Sequence, residues 1–507
     1  MEVINSFLTW IFKNRLGQIE NFKQNPIPVQ EATFRELIQS GKGTEFGEEF
    51  GFESIKSYAD FAGRVPVFDY ESSKPYFEKT MQGRQNVIWN TEIEWFSKSS
   101  GTTGSRSKYI PVSEQSLEEC HYKGGKDMLS LYISNYPDTK LFTGKSLTIG
   151  GTLEKNPLNP EGTAKAGDVS AVIMQNLPLW VQFARTPSLE TALMADWEAK
   201  IEKMARETMN ENVTSIAGVP TWTIVLLRRI LELKKAKNIL EVWPNLEVFF
   251  HGAVAFGPYR SLFWELIPSD KMHYMETYNA SEGFFGIQDQ PDSDELLLLL
   301  DYGIFYEFIP MEEWETEWPK VVPLQDVEVG KNYAVVISTN GGLWRYKIGD
   351  TIKFTSTLPY RFRISGRTKH FINAFGEEVI VENAEAAVQF AAEETHATIN
   401  NFTAAPVYFE GNGSNGAHEW VIEFQKAPES LDEFTRLLDQ KLRQVNSDYD
   451  AKRYKDIALK MPIVHQANQG LFEAWLGKKG KLGGQHKVPR LSNTREYLEE
   501  ILEMMKG

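Results

Sequence analysis

The sequence predicts an α/β protein: a large N-terminal part of mixed sheets and helices, followed by a smaller α+β C-terminal part. Three shifts of texture predict it. From about residue 30 to 240, helical stretches such as SLEECHYKGGKDMLSLYISNY alternate with short apolar runs such as SLTIGGTL and TSIAGVP, which sets strands between helices. From 242 to 365 strands dominate, with LEVFFHGAVA, KMHYMETYNA and YAVVIST leading through an NGG turn into LWRYKIGDTIKF and YRFRISG. After Gly366 the helices VENAEAAVQFAAEE and SLDEFTRLLDQKLRQVN accompany the strands AAPVYFEG and HEWVIEF, an α+β unit large enough to fold alone.

At the start, MEVINSFLTWIFKNRLGQIENF places Ile4, Phe7, Leu8 and Ile11 at helical spacing, with Glu2 where a secretory signal carries positive charge. An amphipathic helix docked on the body is expected. The most apolar run, LLLLLDYGIFYEFIP from Leu296, is shorter than a bilayer span and is broken by Asp301 and Glu307, so it reads as buried strands. Across 507 residues, a hydrophobic content of 42% with 31 Phe and 13 Trp can fill the cores of two or more domains. The formal charge of -15 argues against nucleic acid or an anionic membrane as the main partner, since both need concentrated positive surface. A local basic patch for a phosphate is compatible with it. Cys120 is the one cysteine, which excludes an internal disulfide and a thiolate zinc site and fits a reducing compartment, the cytoplasm.

Three motifs lead nowhere. GNGSNG, residues 411 to 416, has dinucleotide-motif spacing, yet a strand follows it where that motif opens a helix, so a hairpin turn is expected. FTGKS ends like a phosphate-binding loop but has Thr139 at the position of its first glycine. None of the eight His residues shows HxxxH or HExxH spacing, so no histidine metal site is expected.

The chemistry concentrates in SSGTTGSRSKYIP, residues 99 to 111. Gly101 and Gly104 allow close approach to a ligand, Ser99, Ser100, Thr102 and Thr103 offer hydroxyls beside backbone N–H groups, and Lys108 supplies charge. Such a loop suits a polyphosphate, although a solvated turn has the same composition. In ETYNASEG, residues 276 to 283, Tyr278 could stack on a base and Glu282 is placed as a magnesium ligand near phosphates, or the segment is a strand end with a polar cap. WRYKIGD ends in Asp350 at a strand-to-turn boundary, where a carboxylate can accept both hydroxyls of a ribose, or the Gly-Asp pair is turn chemistry alone. ISGRTKHFINAFGEEVIVENAE begins at the inferred boundary with Gly366, Arg367 and Lys369, and a bare hinge would look similar.

In this order and spacing the segments resemble the adenylate-forming superfamily, and within it the acyl acid amido synthetases of the auxin-responsive Gretchen Hagen family. GTEFGEEFGF, FAGRVPVFDYESSKPYFEKTMQG, VWPNLEVFFHGAVAFGPY and GQHKVPRL carry the narrower likeness, which runs from roughly residue 30 to 495. Asn373, where many superfamily members have lysine, and Ser107, where proline is common, depart from the pattern. The resemblance implies an ATP- and acyl-acid-binding domain over 1–365, a hinge at 366–369 and a mobile C-terminal domain over 370–507. It implies ATP and Mg2+ as cofactors, and a small carboxylic acid and an amino acid as substrates, joined as an amide through an acyl adenylate. Ser99, Ser100, Gly101, Thr102, Thr103 and Lys108 would hold phosphates, Glu282 the magnesium, Tyr278 with Ser281 and Val254 the adenine side, Asp350 the ribose, and Arg367 a further nucleotide contact. Lys487 in GQHKVPR resembles the mobile catalytic lysine, although a basic surface segment would read the same. Thr221 and Trp222 in GVPTW resemble residues lining the acyl pocket, and Trp222 also suits a core.

Two alternatives stay open: a ligase whose adenylate is captured by CoA, and a nucleotide-binding protein without turnover. The N-terminal stretch favours the amide. No carrier protein is expected, because no Gly-Gly-x-Ser signature stands near the C-terminal helix TREYLEEILEMMKG.

Overall fold

The computed structural model describes residues 15–99, 108–254, 256–314, 316, 319–368, 371–409, 416–453, 456, 458–479 and 488–506. Among them, twelve strands form one sheet whose two halves obey different rules. In the first half Arg185–Thr186, Lys145–Thr148, Val213–Gly218, Val248–His251 and His273–Ala280 lie side by side and parallel. Crossover helices join them, among them Trp197–Thr208, Pro220–Lys234 and Arg260–Leu266. Parallel strands are covered on both faces, which explains why VFFH is buried throughout. Pro220 opens its helix in the first turn, where the missing N–H costs nothing, and Lys235 ends it in the left-handed conformation.

The second half is antiparallel. Gly283–Ile287, Leu296–Leu298, Tyr360–Arg367, Tyr346–Thr357, Asn332–Thr339, Ile304–Pro310 and Val322–Pro323 follow in that order across the sheet. The Leu296 run is thus two buried strands, as expected, and NGG is the turn between Asn332–Thr339 and Tyr346–Thr357, with Gly342 at φ +88°. A smaller sheet of Lys108–Val112, Trp95–Ser99, Lys165–Asp168 and Leu153–Lys155 packs beside it.

The C-terminal unit has a three-stranded sheet of Thr398–Tyr408, Gly416–Lys426 and Ile463–Ala467. Helices Val381–Glu394 and Leu431–Val445 bury Ala384, Val388, Phe434 and Leu438 in a core with Trp420, and Leu471–Lys478 with Glu496–Lys506 build a second core around Phe472, Trp475 and Ile501. The strands flanking GNGSNG pair Tyr408 with Gly416, and residues 410–415 of that turn lie outside the described residues.

Three expectations need adjusting. LEVFFHGAVA is a strand only to His251, because Gly252 packs against the Thr277 carbonyl and Ala253 turns to φ +70°. Asp350 lies within a strand rather than at its end: Gly349, at φ +93°, puts the bend inside Tyr346–Thr357. The helix over SLEEC is wound as a π-helix at Leu117–Tyr122, which turns Cys120 and His121 inward. Of the N-terminal helix, residues 15–24 are described, with Ile19 and Phe22 buried; Ile4, Phe7, Leu8 and Ile11 lie outside. No helix among the described residues is long and apolar enough to cross a membrane.

One buried ion pair ties these layers. Arg345, 4% exposed, donates from Nε and Nη2 to Glu307, 0% exposed, at 2.8 to 3.1 Å, and from Nη1 to the carbonyls of Ala62 and Val65. Tyr58 donates to the same carboxylate at 2.8 Å. Every polar group of the pair is engaged, which is the condition under which burying two charges is tolerated. Arg345→Met leaves Glu307 charged and buried, and is expected to cost about 3–5 kcal/mol in denaturant unfolding. A loss under about 1 kcal/mol would show that the N-terminal helices hold without it.

Candidate active site

Ligands of open α/β sheets bind beyond the carboxyl ends of the parallel strands. Here Thr148, Ala217, Phe250 and Met275 stand in register near that edge. The strand His273–Ala280 runs further than its neighbour, and Ala280 pairs with Gly283, so Ser281 and Glu282 form a two-residue turn. This turn is where the parallel half becomes antiparallel. It projects a hydroxyl and a carboxylate at the edge itself.

Four sequence-predicted residues converge there. The Tyr278 hydroxyl donates to Asp350 Oδ2, so the residues read as base platform and ribose acceptor touch directly. Both are buried, and the Tyr278 ring is wedged edge-on against Phe285 and Phe362. Ser281 accepts from Ser97 at 2.9 Å, a bond fully inside the protein. Glu282 is half-buried beside Tyr346, whose phenol is held well above its ordinary range by burial and then by the charge of Glu282. Beneath the turn, His121 bonds Asn279 at 3.0 Å, and burial pushes its imidazole down to about 4, so it is neutral.

The hydroxyl-rich loop is anchored at both ends. Ser99 pairs with Lys108 where the strands Trp95–Ser99 and Lys108–Val112 run antiparallel. Ser100, Gly101, Thr102 and Thr103 lie outside the described residues. Lys108 is 8% exposed, with its ammonium 5.9 Å from the Tyr70 ring, and the Tyr70 hydroxyl accepts from the Tyr109 amide at 3.0 Å. The root of the loop therefore joins the Ser281–Glu282 turn through Ser97, a residue the sequence did not single out although it stands two positions ahead of the loop.

Asp350 also pairs across the sheet with Arg367, and Thr351 with Gly366, which has φ +144°. Lys369 and Lys487 lie outside the described residues. Phe371–Ile372 pairs with Val379–Ile380 in a sheet of its own. The C-terminal unit touches the edge nearby: Tyr259 donates to the Ala374 carbonyl, and a side chain on Gly376 would meet Val254 at 4.0 Å.

Thr221 and Trp222 follow the strand Val213–Gly218 and are buried at the same edge, the Thr221 hydroxyl without a hydrogen-bond partner among the described residues. Trp222 belongs to an apolar cluster and stacks on Trp197 at 4.1 Å. Trp197 is 25 positions earlier, and no local pattern could have paired the two rings. No cluster of three or more metal-ligating side chains occurs among the described residues.

Three family models match the chain in order: GH3 family N-terminal domain over residues 15–272, GH3 family central domain over 297–367 and GH3 family C-terminal domain over 382–496. The indole-3-acetic acid-amido synthetase GH3.3 of Arabidopsis thaliana is 23% identical over 95% of this chain and 92% of its own. The 4-substituted benzoates-glutamate ligase GH3.12 of the same organism is 22% identical over 96% of each. Among solved structures, a GH3.15 acyl acid amido synthetase superposes with a TM-score of 0.61 at 18% identity, over 97% of this chain and 95% of its own. A 2-hydroxyisobutyryl-CoA ligase gives 0.54 at 13% identity, over 94% and 92%. These structures share the fold, that of adenylate-forming ligases. With the N-terminal model alone covering more than half of its residues and the other two following in sequence, the chain belongs to the GH3 family.

Proposed function

We propose that this protein is an acid–amino acid ligase that activates a carboxylic acid with ATP and passes the acyl group to an amino acid amine, releasing pyrophosphate and AMP. The observation that carries the reading is the meeting of Tyr278, Asp350 and the Ser281–Glu282 turn at one sheet edge, in a chain matched by GH3 models nearly throughout. The relatives' names, indole-3-acetic acid-amido synthetase and 4-substituted benzoates-glutamate ligase, point to an acid carrying an aromatic ring, with an amino acid acceptor.

The chemistry asks for what this edge offers. A carboxylate lacks a leaving group, and attack of its oxygen on the α-phosphorus of ATP expels pyrophosphate and supplies one, AMP. Phosphate charge is then met by donors fixed in advance rather than by reorganising water. Ser99, Lys108 and the loop residues Ser100 to Thr103 would hold the phosphates, Asp350 the ribose and Tyr278 the base side, with Arg367 and Val254 flanking. The donor set suits a nucleotide-bound magnesium, which takes one or two carboxylates and completes its shell with phosphates and water; Glu282 would supply the carboxylate. A magnesium held by Glu282 would supply positive charge against the leaving pyrophosphate.

Domain roles follow in the same reading: residues 1–365 bind ATP and acid, 366–369 bend, and 370–507 bring Lys487 to the α-phosphate and withdraw it for the amine.

Mass spectrometry of the purified protein given ATP, magnesium, aryl and alkyl acids, the common amino acids and CoA tests the reaction. An N-acyl amino acid with equimolar AMP is expected, and a thioester without amide would replace the reading with a CoA ligase. Lys487→Ala is expected to slow acid-dependent ATP–pyrophosphate exchange by about 10²–10³-fold while ATP still binds, the usual cost of losing one preorganised charge donor; exchange at the wild-type rate would remove Lys487 from the mechanism. Tyr278→Phe removes a hydrogen bond to a carboxylate, typically about 1.5–3 kcal/mol. Its KM for ATP is expected to rise roughly tenfold, and an unchanged value would mean that Asp350 needs no orienting partner.

A further inference from the structure

Lys452 lies on the short helix Ser447–Arg453 of the C-terminal unit and is 5% exposed. Its neighbour Arg453 is paired with Asp439 at 2.6 Å. Lys452 is not so served: among the described residues its ammonium makes no hydrogen bond and no ion pair, and rests 4.3 Å from the centre of the Trp222 ring. Burial pushes it down to about 8, against the opposing charges of Asp448, Glu377 and Asp168. Two of those carboxylates are committed elsewhere. Glu377 accepts from the amides of Ala374 and Phe375 and from His418, and Asp168 from the Thr152 amide.

Gly376 has φ +86°, and a Cβ on it would stand 3.4 Å from both Cε and Nζ of Lys452. Trp222 comes from the large unit, at the carboxyl edge of its parallel strands, so the ammonium occupies the crevice between the two units. A buried cation with no directly bonded anion among the described residues is costly, and an indole face with carboxylates not bonded to it answers the charge only in part, so the crevice is suited to an anion.

The anion can be named by its chemistry, given the ligase reading on which this inference rests. The acid being activated loses its negative carboxylate on becoming a mixed anhydride. The amino acid keeps its carboxylate through the whole reaction. We propose that Lys452 binds the carboxylate of the acceptor amino acid and so sets its amine against the acyl adenylate. The amine nitrogen forms a bond to the acyl carbon and gives up a proton to solvent. The acyl C–O bond to AMP breaks with its electron pair leaving on the phosphate, and the Lys452–carboxylate pair is unchanged throughout.

The test compares α-amino acids with their carboxamides, glycine with glycinamide, alanine with alaninamide and glutamate with its α-amide, by kcat/KM for amide formation. Wild type is expected to prefer the carboxylate by about 30-fold or more, the discrimination a buried charge pair provides. In Lys452→Met, which keeps an unbranched side chain on Trp222, the ratio should fall close to one, and Lys452→Arg should recover part of it. A domain strut would lose both acceptors together, and an unchanged ratio in Lys452→Met overturns the proposal. Should that variant not fold, a wild-type ratio near one overturns it without any substitution. A wild type that forms thioester and no amide overturns the ligase reading and this inference with it, whereas amide formation with no carboxylate discrimination overturns this inference alone.

Discussion

The two-residue turn between Ala280 and Gly283 is the constraint on which the rest of the site depends. Before it, strands run parallel and need helical crossovers, so their carboxyl ends collect on one edge. After it, strands run antiparallel and return by short connections. A turn can switch the sheet only at a strand end, and this one falls at the edge where ligands bind. Ser281 and Glu282 are thereby placed at that edge, Tyr278 is carried just short of it, and the returning sheet brings Asp350 back against Tyr278. The hydroxyl loop arrives from the smaller sheet and is fastened through Ser97 to the turn itself.

Such a junction has to be rigid, and its rigidity comes from groups that are polar and buried. Arg345 stands next to Tyr346 in the chain, at φ +43°, and its guanidinium binds the Glu307 carboxylate on an adjacent part of the sheet together with carbonyls of the 58–65 helix region. Around it Phe34, Phe46, Phe52, Phe61 and Trp344 pack edge to face. The aromatic rings supply area and the ion pair supplies direction, since apolar contacts alone tolerate sliding. Tyr346 then lies beside Glu282, so the N-terminal helices support the turn through the antiparallel half.

Much of this was legible in the sequence because its signals are local. VFFH, LLLLL and the NGG turn state their geometry within a few residues, and the hydroxyl loop, the Ser-Glu pair and Gly-Asp are short enough to be recognised together. What escaped reading depends on residues far apart. Ser97 matters through Ser281, Trp197 through Trp222, and Arg345 through Glu307, at separations that no periodicity reports. The extension of LEVFFHGAVA stops short in a related way: Gly252 lies close against the Thr277 carbonyl, a neighbour brought there by the sheet, and Ala253 turns to φ +70°. Gly-Asp predicts a turn at Asp350 because it bends the chain, and the structure absorbs that bend inside a long strand.

The contacts between the two units suit a site that must change its occupants. Adenylation requires positive charge at the α-phosphate, whereas transfer requires an open path for an amine. The large unit meets the C-terminal unit through a Tyr259 hydroxyl on the Ala374 carbonyl, a Tyr259–Tyr408 edge contact, Val254 against Gly376, and Lys452 on Trp222. Each is a single bond or ring contact, whereas either unit's core is a continuous apolar cluster. A lysine that among the described residues has an indole face but no bonded anion makes the arrangement itself sensitive to one: on the proposed reading the acceptor's carboxylate would stabilise the closed crevice by the charge it supplies, and its departure with the product would release it.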